Sequence, residues 1–482
     1  MKTLSTDIVV MAAGPSGLSA AVQAAEEGAK VIVVEKAPVA GGAANMGMGP
    51  LGIGTKYQKD QMVDISVEKA FKMFMEYTHY QADANLVRKY FGMSAETIEW
   101  LENMGVQFAG AFRYFPKSEQ TWHIVKTDKG IGRGSASFMV KALIEKATEL
   151  GVQILFETPA TDIIMENGRV TAVMARDKTG EEIRVNCKAV IVATGGAGDN
   201  PQVIKDEVGF TFGVDMFNFA IPGLKGEGIK LLRKCGAAPT QMRMEMISQM
   251  PQVIDLDPSL PAVFNQPNLM VNLLGKRFMD EEEMQNTTFT GNAIAKQKGR
   301  VGFVIFDSAT LKGYKKRGLD VVSFVFNPET LDNFDEALEQ AIAAKNTDVF
   351  KADTLEEIVS WCGIEDAGAF MATVDDYNEM CESVDSYFFK SKIYMKPIRK
   401  APFYAGRIRP GAYGTLGGTL INENCEALTA EYKAIPGLYV AGTDACNIYD
   451  DSYMFLLPGN TMGFAINTGR IAGMSAAEYI QK

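Results

Sequence analysis

The sequence predicts an α/β protein, and three observations carry that reading. Residues 7–35 read as strand, glycine turn, helix and second strand. Two later apolar runs, at 189–196 and 437–444, each close on a glycine turn in the same way. The stretch between them mixes helix and strand signals, with acidic helical runs at 329–344 and 356–361. At 482 residues the chain is long enough for two or three domains around large cores.

Composition narrows the possible chemistry. Hydrophobic residues make up 47% and charged residues 22%, ordinary values for a soluble globular protein. The net charge of −11 argues against nucleic acid and anionic membrane as partners. No apolar run reaches the length of a membrane span. The first strand opens at Asp7, which leaves no room for a signal peptide, and a cytoplasmic location is expected. Cys187, Cys235, Cys362, Cys381, Cys425 and Cys446 never fall at C-x-x-C spacing, which removes c-type haem, ferredoxin-type clusters and common zinc sites. His79 and His123 are the only histidines, so neither a His-rich metal site nor a serine–histidine triad is expected. Tyrosine, arginine, backbone N–H groups and a cofactor remain as sources of chemistry.

The opening unit has a ligand-binding pattern. The run from Asp7 to Met11 is a buried strand, followed by Ala12-x-Gly14-Pro15-Ser16-Gly17 and an Ala-rich helix that stops at Gly28. The next strand, from Lys30, ends in Glu35. This is a Rossmann-like βαβ unit with a dinucleotide fingerprint. Gly14 lets backbone approach a pyrophosphate, and Gly17 lets helix and strand pack closely. The helix N-terminus offers free N–H groups and a positive dipole end. Glu35 can accept ribose hydroxyls. Ala12 stands where glycine is common. Its methyl group is expected to crowd the turn without forbidding binding, because alanine tolerates most backbone geometries outside the left-handed region.

Later motifs add to this unit in a fixed order. Lys36 is followed by the small-residue run Gly41-Gly42-Ala43-Ala44-Asn45-Met46-Gly47-Met48-Gly49. Then come Ala193-Thr194-Gly195-Gly196, Gly226-Glu227-Gly228, Asn272-x-x-Gly275-Lys276-Arg277-Phe278 and Gly414-Thr415-Leu416-Gly417-Gly418. Gly442-Thr443-Asp444 and Pro458-Gly459-Asn460-Thr461-Met462-Gly463 complete the series. In order and spacing they resemble the FAD-dependent fumarate reductase and succinate dehydrogenase flavoprotein superfamily, in particular its 3-ketosteroid dehydrogenase branch.

The resemblance implies a split Rossmann-like FAD-binding domain, at 1–246 and 396–482, with an inserted α+β cap domain at 247–395 that shields substrate from water. It implies FAD contacts from Ala12, Gly14, Pro15, Ser16, Gly17, Glu35, Lys36, Gly41, Gly42, Ala43, Ala44, Gly47, Met48, Gly49, Ala160, Ala193, Thr194, Gly195, Gly442, Thr443, Asp444, Gly459, Asn460, Thr461 and Met462. Family members that bind flavin covalently use a histidine in the region of residues 41–49. That run contains none, so FAD is expected to be non-covalent. A helix starting near Asn460 would point its N–H groups at the flavin N1–C2=O edge, favouring the reduced flavin's negative charge. A plain helix cap by Asn460 or Thr461 is the alternative.

The resemblance also shows what is missing. The family's dicarboxylate-binding histidine and arginine are replaced by Gly414 and Leu456, and its proton-donating arginine by Leu311. A dianion would lose charge-assisted hydrogen bonds there, so fumarate or succinate is not expected. Tyr453, Tyr413 and Tyr114 are the candidate catalytic groups, with the Gly414 N–H as a further oxyanion donor. The expected function is hydride transfer between flavin N5 and a C–C or C=C bond next to the carbonyl of an apolar, ketosteroid-like or enone-like substrate. One alternative is an organic-acid reductase of the fumarate reductase type using Arg407 or Arg409. Another is a flavin-binding protein without catalysis. Arg277 is expected to form a structural ion pair with the acidic run at 280–283, and Cys446 to be a buried small residue. The electron donor or acceptor is not named by the sequence.

Overall fold

The computed structural model describes residues 1–218, 221–322, 328, 330–446, 448–449 and 452–482. Its centre is a six-stranded sheet. β1 (Ile8–Met11) leads through α1 (Pro15–Glu26) to β2 (Val31–Val34), and β3 (Gln153–Leu155) lies beside β2. β4 (Ala189–Val192) pairs with the other edge of β1. All these pairings are parallel, with Ile8 opposite Val31 on one side and Ala189 on the other. Every residue of β1, β2 and β4 is buried. Burial on both faces explains why these strands read as unbroken Val and Ile runs rather than alternating patterns.

The sheet is completed from the far end of the chain. β5 (Arg243–Gln249) and the sixteen-residue β6 (Phe403–Gly418) belong to a different sheet, where they pair antiparallel. β7 (Ala434–Val440) returns to the central sheet and pairs parallel with β4, Val190 opposite Leu438. The chain closes with α2 (Asn460–Gln481). α2 lies against α1 at backbone distance. A Cβ on Gly469 would stand 2.3 Å from the Ser16 carbonyl oxygen, and one on Gly473 would stand 2.6 Å from that of Ala20. Buried Arg470 locks the contact, donating to Gln23, Thr97 and Glu96 at 2.8 Å each.

The first half of β6 pairs with strands from the middle of the chain, Gly302–Asp307 and Val349–Ala352. Its second half pairs with β5. β6 thus runs out of the middle segment and delivers residues 413–418 to the central sheet's end. Two apolar cores built almost wholly from residues 250–408 are separate from the large core around the central sheet. Among the described residues no helix is long and apolar enough to cross a membrane.

The turn after β1 corrects one expectation. Ala12 has φ +83°, inside the left-handed region that its methyl group disfavours. The motif demands glycine-like backbone here, and this chain meets the demand with alanine. Gly17 shows why the turn cannot relax: a Cβ there would stand 1.9 Å from the Ala12 carbonyl oxygen. Ala12→Gly removes a strain of about 1–2 kcal/mol and returns about 0.5–1 kcal/mol of that as unfolded-chain entropy. Denaturant titration should show this variant equal to or slightly more stable than the parent. A clear loss of stability would mean that the alanine is not strained.

Candidate functional site

The ends of β1, β2 and β4, the 42–49 loop and the first turn of α2 surround one cavity of roughly 600 Å³. Most of the sequence-predicted residues line it. Ala12, Gly14, Pro15 and Ser16 come from the first turn, and Glu35 and Lys36 from the end of β2. Gly42, Ala43, Ala44, Gly47, Met48 and Gly49 form one wall. Ala160, Ala193, Thr194, Gly195 and Thr443 form another, and Gly459, Thr461 and Met462 close the far end.

Five predicted residues are absent from the lining. Gly17 packs against Ala12, as described above. Gly41 has φ +108° and turns the chain into the wall loop. Gly442 has φ +68°, with its N–H donating to Thr468. Asp444 is fully buried; it accepts from the Thr194 hydroxyl at 2.9 Å and the Gly196 N–H at 2.8 Å, and from the Thr194 N–H. Asn460 is fully buried, and its carboxamide oxygen accepts from Tyr449 at 2.6 Å and Tyr90 at 3.2 Å.

The donor set fits FAD. The N-caps of both helices facing the cavity are glycines, Gly14 and Gly459, and neither helix has a side-chain cap. Apart from the Thr461 N–H, which Tyr453 accepts, their first-turn N–H groups face two points of the same cavity without a side-chain cap, as a group with phosphates at one end and a ring carbonyl at the other requires. A Cβ on Gly14 would meet nothing within 4 Å, so backbone borders open space there. Glu35 is oriented by the N–H groups of Ala13 and Ala37, both at 2.7 Å. Lys36 bonds the Gly223 carbonyl and Glu227 (2.8 Å) at the rim. The wall at Gly49 is set from behind, where a Cβ would stand 1.8 Å from the His123 carbonyl oxygen. His123 itself is buried between Thr55 (2.8 Å) and the Thr121 carbonyl (3.0 Å), and burial lowers its pKa to about 4. It is neutral and structural.

All four expected catalytic groups line this cavity. Tyr453 is 6% exposed, and its phenol oxygen accepts the Thr461 N–H at 3.1 Å. That bond leaves the hydroxyl hydrogen free to donate elsewhere. Asp451, just before it, lies outside the described residues. The Phe455 ring stands 5.0 Å from Tyr453 and 5.1 Å from Tyr114, tying the two tyrosines into one wall. Tyr413 is 36% exposed and lines the cavity beside Gly414, whose Cβ position is open. Burial raises the pKa of Tyr114 to about 12 and holds Tyr453 and Tyr413 higher still. All three phenols are neutral donors at any physiological pH.

Sequence reading missed two charged residues in the lining, Arg133 and Glu245. Arg133 follows no motif, and nothing in its neighbourhood singles it out. Glu245 left a faint signal, as an acid between Met244 and Met246. It is 7% exposed, and one carboxyl oxygen accepts the Thr461 hydroxyl at 2.6 Å. Burial raises its pKa to about 7, against the lowering effect of that hydrogen bond.

The arginines of the organic-acid alternative require correction. Arg407 lies over the Trp361 ring at 5.1 Å, and Arg409 donates to the Gly299 carbonyl at 2.9 Å. Neither lines the cavity. Arg277 forms the expected ion pair with Glu281 and also grips Asp385, each at 2.8 Å. Cys446 is fully buried, as expected.

Tyr114, Arg133 and Tyr413 also border a side chamber of about 40 Å³. Its other walls include Ser248, Gln249, Asn265, Gln266, Gln285 and Thr287. Gln249 Nε2 and Thr287 Oγ1 are buried there without a hydrogen-bond partner among the described residues. No cluster of potential metal ligands occurs among the described residues.

Comparison with known proteins agrees with this geometry. Residues 7–461 match the family described as FAD binding domain. The chain is 30% identical over 488 residues to a vinyl phenol reductase of Lactiplantibacillus plantarum, covering 98% of this chain and 97% of that one. It is 27% identical to a cytochrome-type fumarate reductase of Shewanella frigidimarina, covering 99% and 78%. A 3-ketosteroid-Δ4-(5α)-dehydrogenase from Rhodococcus jostii RHA1 shares the fold, with TM-score 0.78 at 24% identity over 98% of this chain and 97% of that one. The chain belongs to this FAD-binding family, and the protein is an FAD-dependent oxidoreductase.

Proposed function

We propose that the protein reduces a carbon–carbon double bond conjugated to a carbonyl or aryl group in a small, mostly apolar substrate. One observation carries this reading: three neutral phenols and the Gly414 backbone border the same cavity as the dinucleotide fingerprint. The relative that acts on a vinyl phenol supports it. FAD would lie between the first turns of α1 and α2, with Glu35 toward its ribose and residues 42–49 along its length. Bound there, FAD supplies hydride transfer at ring nitrogen N5. With no histidine in the 41–49 loop, attachment would be non-covalent.

The protein's own contribution is orientation and electrostatics. Tyr453, positioned by the Thr461 N–H, donates to the substrate oxygen on which negative charge builds during reduction. Tyr413 and Tyr114 border the same space and exclude water. Residues 247–395 would act as the cap between the two FAD-binding parts, 1–246 and 396–482, and their separate cores support that division. The unpartnered Gln249 and Thr287 atoms suit a substrate with one uncharged hydrogen-bonding end. Six cysteines without a disulfide suit a reducing, cytoplasmic setting.

Arg133 favours a second reading, an enoate as substrate, because it puts a cation in the cavity wall. Two measurements separate the possibilities. Tyr453→Phe should keep FAD bound and lower turnover by about 100-fold; near-normal turnover would remove Tyr453 from the mechanism. Arg133→Gln should raise KM for acrylate-type acids about tenfold or more if the natural substrate is an acid. It should leave KM for neutral enones and vinyl phenols within a few-fold.

A further inference from the structure

We propose that Glu245 is the proton donor that completes double-bond reduction in this site. The inference rests on the reductase reading above and adds the group that the tyrosines leave unassigned. Three facts of placement support it. Glu245 lines the flavin cavity from β5, the strand paired with the stretch of β6 that carries Tyr413 and Gly414. One carboxyl oxygen is held by the Thr461 hydroxyl, at the first turn of the helix that would face the flavin ring. Among the described residues no other hydrogen bond reaches the carboxyl, so its second oxygen is the one that carries a proton.

The contrast with Asp444 sharpens the assignment. Both carboxyls are buried, but only Glu245 lines the cavity. Asp444 is saturated by two backbone N–H groups and a hydroxyl, which leave it no room to act, although burial pushes its pKa up. Glu245 has one hydroxyl donor and titrates near neutrality. The groups facing it are Tyr413 on β6 and Cys446, Tyr449 and Tyr453 ahead of α2, all uncharged at that pH. Phenols with strongly raised pKa values are good hydrogen-bond donors and poor proton sources. A carboxylic acid near pH 7 is suited to proton delivery. The site thus separates the two tasks between two kinds of side chain.

The step balances as follows. The substrate π bond breaks. One carbon takes a hydride, with both electrons, from the reduced flavin. The neighbouring carbon takes the proton from Glu245, two C–H bonds form, and a carboxylate is left to be reprotonated before the next turnover. Reduction therefore needs the acid form, and its rate should fall as pH rises through about 7.

The test uses the FAD-loaded protein with a panel of enones, vinyl phenols and acrylate-type acids. Glu245→Gln should retain FAD and bind substrate with KM within a few-fold, while turnover falls about 100-fold or more and the pH limb near 7 disappears. Thr461→Val keeps the carboxyl but removes the hydrogen bond that lowers its pKa, so the limb should move to higher pH. A purely structural role would not move it. Infrared difference spectra across pH 5–9 supply a readout independent of turnover: a protonated-carboxyl band lost on Glu245→Gln. If the parent turns over and Glu245→Gln matches it in rate and pH profile, the proposal is overturned while the reductase reading stands. If no panel member reoxidises the reduced parent protein, the reductase reading fails, and the proton-donor assignment falls with it.

Discussion

The site depends on a carboxylate that reaches across 250 residues. Asp444, at the end of β7, accepts hydrogen bonds from Thr194 and Gly196 at the end of β4. A fully buried carboxylate is costly unless it is met by donors, and here backbone N–H groups meet it. The arrangement is all or nothing. Remove the acid and two buried N–H groups lose their partner; break the glycine turn and a charge is stranded. It holds two glycine turns from opposite ends of the chain in one wall, and Thr194, Gly195 and Thr443 border the cavity because of it.

How much of this was legible in the sequence follows from the range of each interaction. The βαβ unit is local, and its strand, turn, helix and terminal acid sit where the spacing puts them. The need for glycine-like backbone at residue 12 was not legible from composition alone. It appears only when the turn is seen wedged between Val34 and the helix behind Gly17. Tyr114, Tyr413 and Tyr453 were found by motif position, and the fold brings them to one cavity. Arg133 lies on a surface loop with no periodicity. Glu245 gains its place only in the fold: it sits at the irregularity in the β5–β6 pairing between Met244 and Met246 and accepts from Thr461 in the first turn of α2. Arg407 and Arg409 misled for the same reason. They sit near the right motif, but the long strand they belong to carries them away from the cavity.

The cavity also shows how one low-dielectric space holds groups of different ionisation. Desolvation raises phenols and carboxyls alike. What differs is the donors each group meets: three for Asp444, one for Glu245, and for Tyr453 a backbone N–H that orients the hydroxyl without ionising it. The same burial therefore yields a carboxyl saturated by its donors, a titratable acid and a permanent neutral donor. The amide-rich side chamber, walled in part by residues 247–287, meets the main cavity at Tyr114, Arg133 and Tyr413 and adds a polar corner there.

The backbone-close packing of α1 against α2 bears on how the protein is made. Synthesis reaches α1 long before α2, and the groove on α1 that receives Gly469 and Gly473 stays open until α2 has been made. The two uncapped helix starts that would hold FAD, at Pro15 and Asn460, lie far apart in the sequence. A ribosome-bound chain can form the opening strands, but it cannot close a cavity whose far end has not yet been translated. A complete cavity therefore waits for α2 to dock on α1, and a chain stopped before Asn460 lacks the wall that Thr461 and Met462 supply.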